Sequence, residues 1–179
     1  TVIALDAVDA PGLQAALAQA QRALQFAPAD YGALMLAGRA NLVARHYDAA
    51  IDAFTRARPL TASFSPATAL AEARAEQGES KSAITELEAL RAEHPEASEL
   101  GLALARLYLR TNRTRDAVRV YEEILARDDR VLEAGNNLAW LYNEQKDPRA
   151  EGLVASLLAK FPGDAAVLDT AGWVMLTHG

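Results

Sequence analysis

The chain has 179 residues, 51% of them hydrophobic but only 6% aromatic, with 24 acidic against 18 basic side chains, a formal charge of -6 and no cysteine. This length suits one domain or one compact array with a core of its own. The missing cysteines exclude disulfide frameworks, cysteine zinc sites, iron–sulfur clusters and thiol nucleophiles, and the acidic balance argues against a nucleic-acid interface, which needs a concentrated basic face.

Alanine is the commonest apolar residue. It is the best helix former and a poor strand former, so the chain is predicted to be all-α. In chain order, a helix is predicted from Gly12 to Phe26. Helix pairs follow at 31–44 and 47–57, 66–77 and 80–93, 97–110 and 114–127, and 131–144 and 147–160, with a last helix at 165–177. Gly78 and Asn112 mark left-handed helix ends. Asp147-Pro148 reads as an N-cap with proline in the first turn, and Ser65 or Thr68 as the cap of its helix. Pro28, Pro95 and Pro162 keep each pair from fusing with the next.

Those prolines stand 67 residues apart, two periods of 33 to 34. Leu104-Ala105-Arg106-Leu107-Tyr108 also aligns with Leu138-Ala139-Trp140-Leu141-Tyr142 at an offset of 34. In a common frame, units begin at Tyr31, Phe64, Ser98, Leu132 and Ala165. Position 8 is always small (Gly38, Ala71, Ala105, Ala139, Gly172). Position 20 is alanine (Ala50, Ala83, Ala117 and, after a one-residue deletion, Ala150). Position 24 is large (Phe54, Leu87, Tyr121, Val154). Small residues let helix backbones approach, and large ones fill the space between hairpins.

This pattern resembles the tetratricopeptide repeat (TPR), a helix–turn–helix unit of about 34 residues. Leu104, Leu138, Tyr108, Tyr142, Ala57, Pro95 and Pro162 fall on its hallmark positions. Gly101, Gly135 and Asp129 depart from it, and Pro59 stands early. The resemblance implies an all-α TPR-type solenoid of about 4–5 repeats of 33–34 residues, a single array over 1–179. Its parts are helix B of a leading repeat (12–30), full repeats at 31–63, 64–97, 98–131 and 132–164, and helix A of a final repeat (165–179). Thr1 is not an initiator methionine, and a longer polypeptide is expected.

No catalytic constellation is present. His46, His94 and His178 lack metal-ligand spacing, and no phosphate-cradling glycine motif occurs. Ser63, Ser65 and Thr68 have no nearby histidine. Arg110, Arg113, Arg115 and Arg119 are interrupted by acids and read as a solvated helix edge. No enzyme activity, cofactor, metal or membrane insertion by this segment is expected.

In the family, helix A lines a concave groove, and positions 2, 5, 9, 12 and 13 face it. The resemblance therefore implies partner binding by Arg39, Glu72, Arg106, Glu133, Asn136, Trp140, Asn143, Asp169 and Trp173, with Met35 also at a groove position. Tryptophan and arginine are enriched at binding hot spots. The competing reading has Trp140 and Trp173 packing against each other or against a following repeat. The chaperone-tail carboxylate clamp is absent, because position 2 is never lysine.

More narrowly, residues 136–142, 146–150 and 166–174 resemble the final repeats of bacterial PEP-CTERM/exopolysaccharide-system TPR (lipo)proteins. That resemblance implies a periplasmic or cell-envelope setting tied to exopolysaccharide or protein export, with the cytoplasm as the alternative. The function expected is a scaffold for a protein or peptide ligand. Two alternatives stay open: polysaccharide binding, and end-to-end homodimer assembly through exposed terminal helices.

Overall fold

The structure, a computed structural model, describes residues 10–178. Among these, ten α-helices follow one another: α1 (Ala10–Phe26), α2 (Tyr31–Val43), α3 (Tyr47–Ala57), α4 (Ser65–Glu76), α5 (Ser80–Glu93), α6 (Ser98–Arg110), α7 (Thr114–Arg127), α8 (Leu132–Glu144), α9 (Arg149–Lys160) and α10 (Ala165–His178). A short 3-10 turn, Arg58–Leu60, continues α3. The architecture is the predicted all-α helix–turn–helix solenoid, and the helix ends lie within a few residues of those read from the sequence. It divides into two compact units, Thr1–Ala92 and Glu93–Gly179.

One turn joins helix A to helix B in every full repeat. Position 15 is left-handed each time: Arg45 (φ 60°), Gly78 (φ 103°), Asn112 (φ 58°) and Lys146 (φ 56°). The next residue donates its N–H back across the turn at 2.8 Å, His46 to Asn41, Glu79 to Arg74, Arg113 to Tyr108 and Asp147 to Tyr142. This is the six-to-one bond of a Schellman ending, which satisfies carbonyls the helix leaves open. Gly78 and Asn112 were legible from residue type. Arg45 and Lys146 were not, because the left-handed conformation costs an ordinary L-residue about 1–2 kcal/mol.

Asp30 caps α2 by accepting the Ala33 N–H at 2.8 Å. Asp147 accepts from Arg149 N at 3.0 Å, and Asp164 from Ala166 N and Val167 N at 3.0 and 3.1 Å. The start of α4 corrects one expectation. Ser65 and Thr68 do not cap it; Ser63 Oγ accepts the Ser65 N–H at 3.1 Å, while the Thr68 hydroxyl donates to the Ser65 carbonyl. Where α4 begins, Pro66 removes one of the N–H groups a cap would otherwise serve.

In the first unit, α1 packs on α2, α2 on α3, and α3 on α4. Its core joins Leu34, Met35, Ala50, Phe54, Ala57, Leu70 and Ala73. An all-alanine cluster of Ala20, Ala37, Ala40 and Ala53 brings α1, α2 and α3 close together. Glu86 on α5 pairs with Arg58 at 2.5 Å and also with Arg74 of α4.

In the second unit, α6 packs on α7, α7 on α8, α8 on α9, and α10 on both α8 and α9. Leu100, Leu104, Tyr108, Val120, Tyr121, Leu138, Tyr142, Val154, Leu157, Val167 and Val174 form its buried interior. All four position-20 alanines are fully buried, and the large residues at position 24 are 0–3% exposed. Position 8 shows the closest contact. A methyl group added to Gly38 would lie 2.3 Å from the Phe54 ring.

Candidate functional site

Trp140 and Trp173 occupy position 9 on α8 and α10, which pack side by side. Both are half-exposed, at 46% and 47%. Their neighbours Leu141 and Val174 are in the core, so the helices bury one side of the chain and leave the indole rings on the other. Asp169, four residues before Trp173 and so on the same helical face, is also exposed.

The predicted residues do not all stand free beside these rings. Arg106 of α6 and Glu133 of α8 pair with each other at 2.5 Å, with about half of each side chain in solvent (49% and 44%). An exposed pair of this kind contributes only about 0–1 kcal/mol. A ligand carboxylate therefore competes for Arg106 at little cost, and the guanidinium fork suits bidentate pairing. Asn143 is buried, and its Oδ1 accepts from the Thr177 hydroxyl at 2.6 Å, tying α8 to α10. Asn136, one turn before Trp140, holds a buried side-chain oxygen with no hydrogen-bond partner. Such an acceptor costs about 1–3 kcal/mol when left unmade.

Arg39 and Glu72 lie exposed on α2 and α4 in the first unit. Met35, at a groove position by family register, is instead 6% exposed and part of the core.

Several side-chain contacts were not read from the sequence. Asn137 donates to the Tyr121 hydroxyl at 3.2 Å, and burial pushes that phenol above its ordinary value of 10.0. The Tyr142 hydroxyl donates to Glu122 at 2.6 Å, and Arg149 lies 4.2 Å over the Tyr142 ring while bonding Glu122 and Asp147. Arg113 lies 4.2 Å over the Tyr108 ring in the same manner. These hydrogen bonds join Asn137 to Tyr121 across 16 residues and Arg149 to Glu122 across 27, spacings no short motif reveals. The period was the available signal, because Tyr108 and Tyr142 both occupy position 11.

Among the described residues, no group of three or more His, Asp or Glu side chains is placed to hold a metal. No described helix is long and apolar enough to cross a membrane.

Comparison with known proteins agrees with this fold. Two family models described as "Tetratricopeptide repeat" match residues 1–63 and 74–133. A thermophilic TPR protein from Thermus thermophilus superposes with a TM-score of 0.72 at 22% identity, over 93% of this chain and 92% of that one. A TPR protein from Parabacteroides merdae gives 0.64 at 20% identity, over 96% and 69%. YrrB, described as a TPR protein with an unusual peptide-binding site, gives 0.59 at 18%, over 90% and 84%. A search of the curated proteins found no match.

Proposed function

We propose that this chain, which belongs to the tetratricopeptide repeat family, is a non-enzymatic scaffold that holds a peptide or protein segment on the helix-A wall of its second unit. The carrying observation is the pair of half-exposed tryptophans at one register position of adjacent A helices. The repeat does not require them: at position 9 the other units carry Arg39, Glu72 and Arg106. Large aromatic rings on rigid helices offer contact area with little rotamer entropy to lose, which is why they dominate binding hot spots. Arg106, loosely held by Glu133, supplies a carboxylate-reading group.

Trp140 and Trp173 are the only tryptophans in the chain, so tryptophan fluorescence reports this wall alone. A peptide array identifies binding sequences, and Trp140→Ala and Trp173→Ala are then compared with the parent by titration, helical CD and melting. Loss of peptide binding with CD and melting unchanged upholds the groove. Collapse of the helical signal in both variants makes the rings structural and refutes it.

A second reading, polysaccharide binding, is favoured by the same two rings beside Asp169, since indole faces also stack on sugars. A fluorescence change with oligosaccharides and none with peptides selects it. The resemblance of the last repeats to exopolysaccharide-system proteins supports a cell-envelope setting. Fractionation of the natural protein tests that placement, and recovery in the cytosol overturns it.

A further inference from the structure

The first unit contains an open cleft of about 360 Å³ between α1, α2 and the turn after α2, lined chiefly by Gln14, Leu17, Gln21, Leu24, Asn41 and His46. Its volume falls at the small end of ligand pockets, which run roughly 300–1,000 Å³. The repeat itself indicates what fits there. Position 11 of the full repeats reads Asn41, Arg74, Tyr108 and Tyr142. Arg74 is tied down by Glu86, and Tyr108 and Tyr142 are buried rings. Only Asn41 is short, and its amide turns back to donate to the Ala37 carbonyl at 2.8 Å. The cleft therefore lies where other repeats place a large side chain.

The surroundings match as well. The Tyr142 hydroxyl donates to Glu122, at position 25 of the preceding repeat. Counting back 34 residues from Tyr31 puts Pro28 at position 32, as Pro95 is in its repeat, and makes Gln21 the position-25 residue of the leading repeat. The Tyr108 ring is covered by Arg113 at position 16, and position 16 beside the cleft is His46. The walls are Leu17 and Leu24, with Ala20 and Ala37 also lining the space. A phenol entering it meets an amide oxygen where Tyr142 meets a carboxylate, and an imidazole where Tyr108 meets a guanidinium. Among the described residues, neither Gln21 nor His46 spends its side chain on a hydrogen bond or ion pair.

We propose that this cleft is a tyrosine socket, taking the phenol ring of a tyrosine presented by a partner polypeptide. The socket lies wholly in the first unit, while both tryptophans lie in the second, so its test is independent of the groove reading.

The probe is p-cresol, the tyrosine side chain as a free molecule, followed by amide NMR of the whole chain. A ligand of this size is expected to bind with a Kd on the order of 1 mM. The expected result is shifts at Gln21, Ala37, Asn41 and His46, with toluene several-fold weaker because it lacks the hydroxyl. Asn41→Tyr rebuilds the internal ring; it is expected to abolish the p-cresol shifts and to raise Tm by about 2–4 °C. Gln21→Leu keeps the cleft and removes the acceptor, and should reduce p-cresol to the level of toluene. Shifts elsewhere, p-cresol shifts surviving in a folded Asn41→Tyr protein, or equal binding of toluene and p-cresol would each overturn the proposal, as would the absence of shifts at 10 times the expected Kd (about 10 mM).

Discussion

Gly38 and Gly172 occupy the same repeat position, yet the structure gives them opposite roles, and one substitution at each separates close packing from mere repetition. A methyl group at Gly38 would stand 2.3, 2.6 and 2.7 Å from three atoms of the Phe54 ring. That ring is completely buried and held in a core cluster with Leu34, Ala50 and Leu70, so it cannot swing aside. At Gly172 the same methyl group meets nothing within 4 Å. Replacing an interior helical glycine by alanine gains about 1 kcal/mol from backbone entropy and helix propensity. Overpacking a tight core costs about 1–3 kcal/mol. Gly38→Ala should therefore lose about 1–2 kcal/mol net when the clash is at the upper end, while Gly172→Ala should be neutral or gain up to about 1 kcal/mol. For a chain of this size, each kcal/mol moves Tm by about 2–4 °C. Urea and thermal unfolding followed by far-UV CD measure both variants. Because arrays of repeats need not unfold in one step, amide exchange in α2 and α10 assigns each change to its helix. If Gly38→Ala is as stable as the parent, or Gly172→Ala loses as much as Gly38→Ala, the contact between position 8 and position 24 does not carry the energy assigned to it.

Two further predictions concern the second unit. Asn143→Ala should cost about 1–2 kcal/mol, because it removes a buried amide and its part-buried link to Thr177 and leaves space between α8 and α10, and faster exchange of α10 amides should accompany the lower urea midpoint. Arg149 holds the Asp147 carboxyl below its ordinary value of 3.8, and Arg113 does the same for Asp116. A folded-state value below the unfolded one gives stability that is present above the unfolded value and lost as pH falls through the folded one. The urea midpoint should thus hold from about pH 7 to about pH 5 and drop below about pH 4, with Asp147→Asn showing a smaller drop than the parent; an equal drop refutes the linkage.

The fold was legible because its determinants are periodic. Alanine at position 20 and a large side chain at position 24 recur at a spacing that helix packing requires, and all of these residues are buried. The turns were half legible. Gly78 and Asn112 declare a left-handed residue by type, whereas Arg45 and Lys146 take it because the Schellman bonds hold them there. The candidate site was legible by register and not by pairing. Position 9 put both tryptophans on one wall, but nothing in the sequence says that Arg106 pairs with Glu133, or that Asn143 turns inward to Thr177. Those contacts join residues 27 and 34 apart, and their partners are chosen by side-chain geometry once the helices are stacked.

Departures from the repeat then sort into two kinds by what surrounds them. Asp129 stands where Pro28 and Pro95 close other repeats, and Lys160 answers it by reaching both its carboxylate, at 2.6 Å, and its carbonyl. Arg56 and Arg127 reach the Pro28 and Pro95 carbonyls in the same way, so the loop keeps its cationic tether although its residue has changed. Arg74 departs at position 11, and Glu86 neutralises it. These exchanges preserve the array and call for no ligand. Trp140, Trp173 and Asn41 are different. The two rings stay half in solvent, and the space left by the short amide stays open. Asp129 and Arg74 find partners within the chain, whereas these three positions leave exposed or open surface for a partner to cover. That is the common ground of the two proposals, recognition on the helix-A wall of the second unit and in the socket of the first.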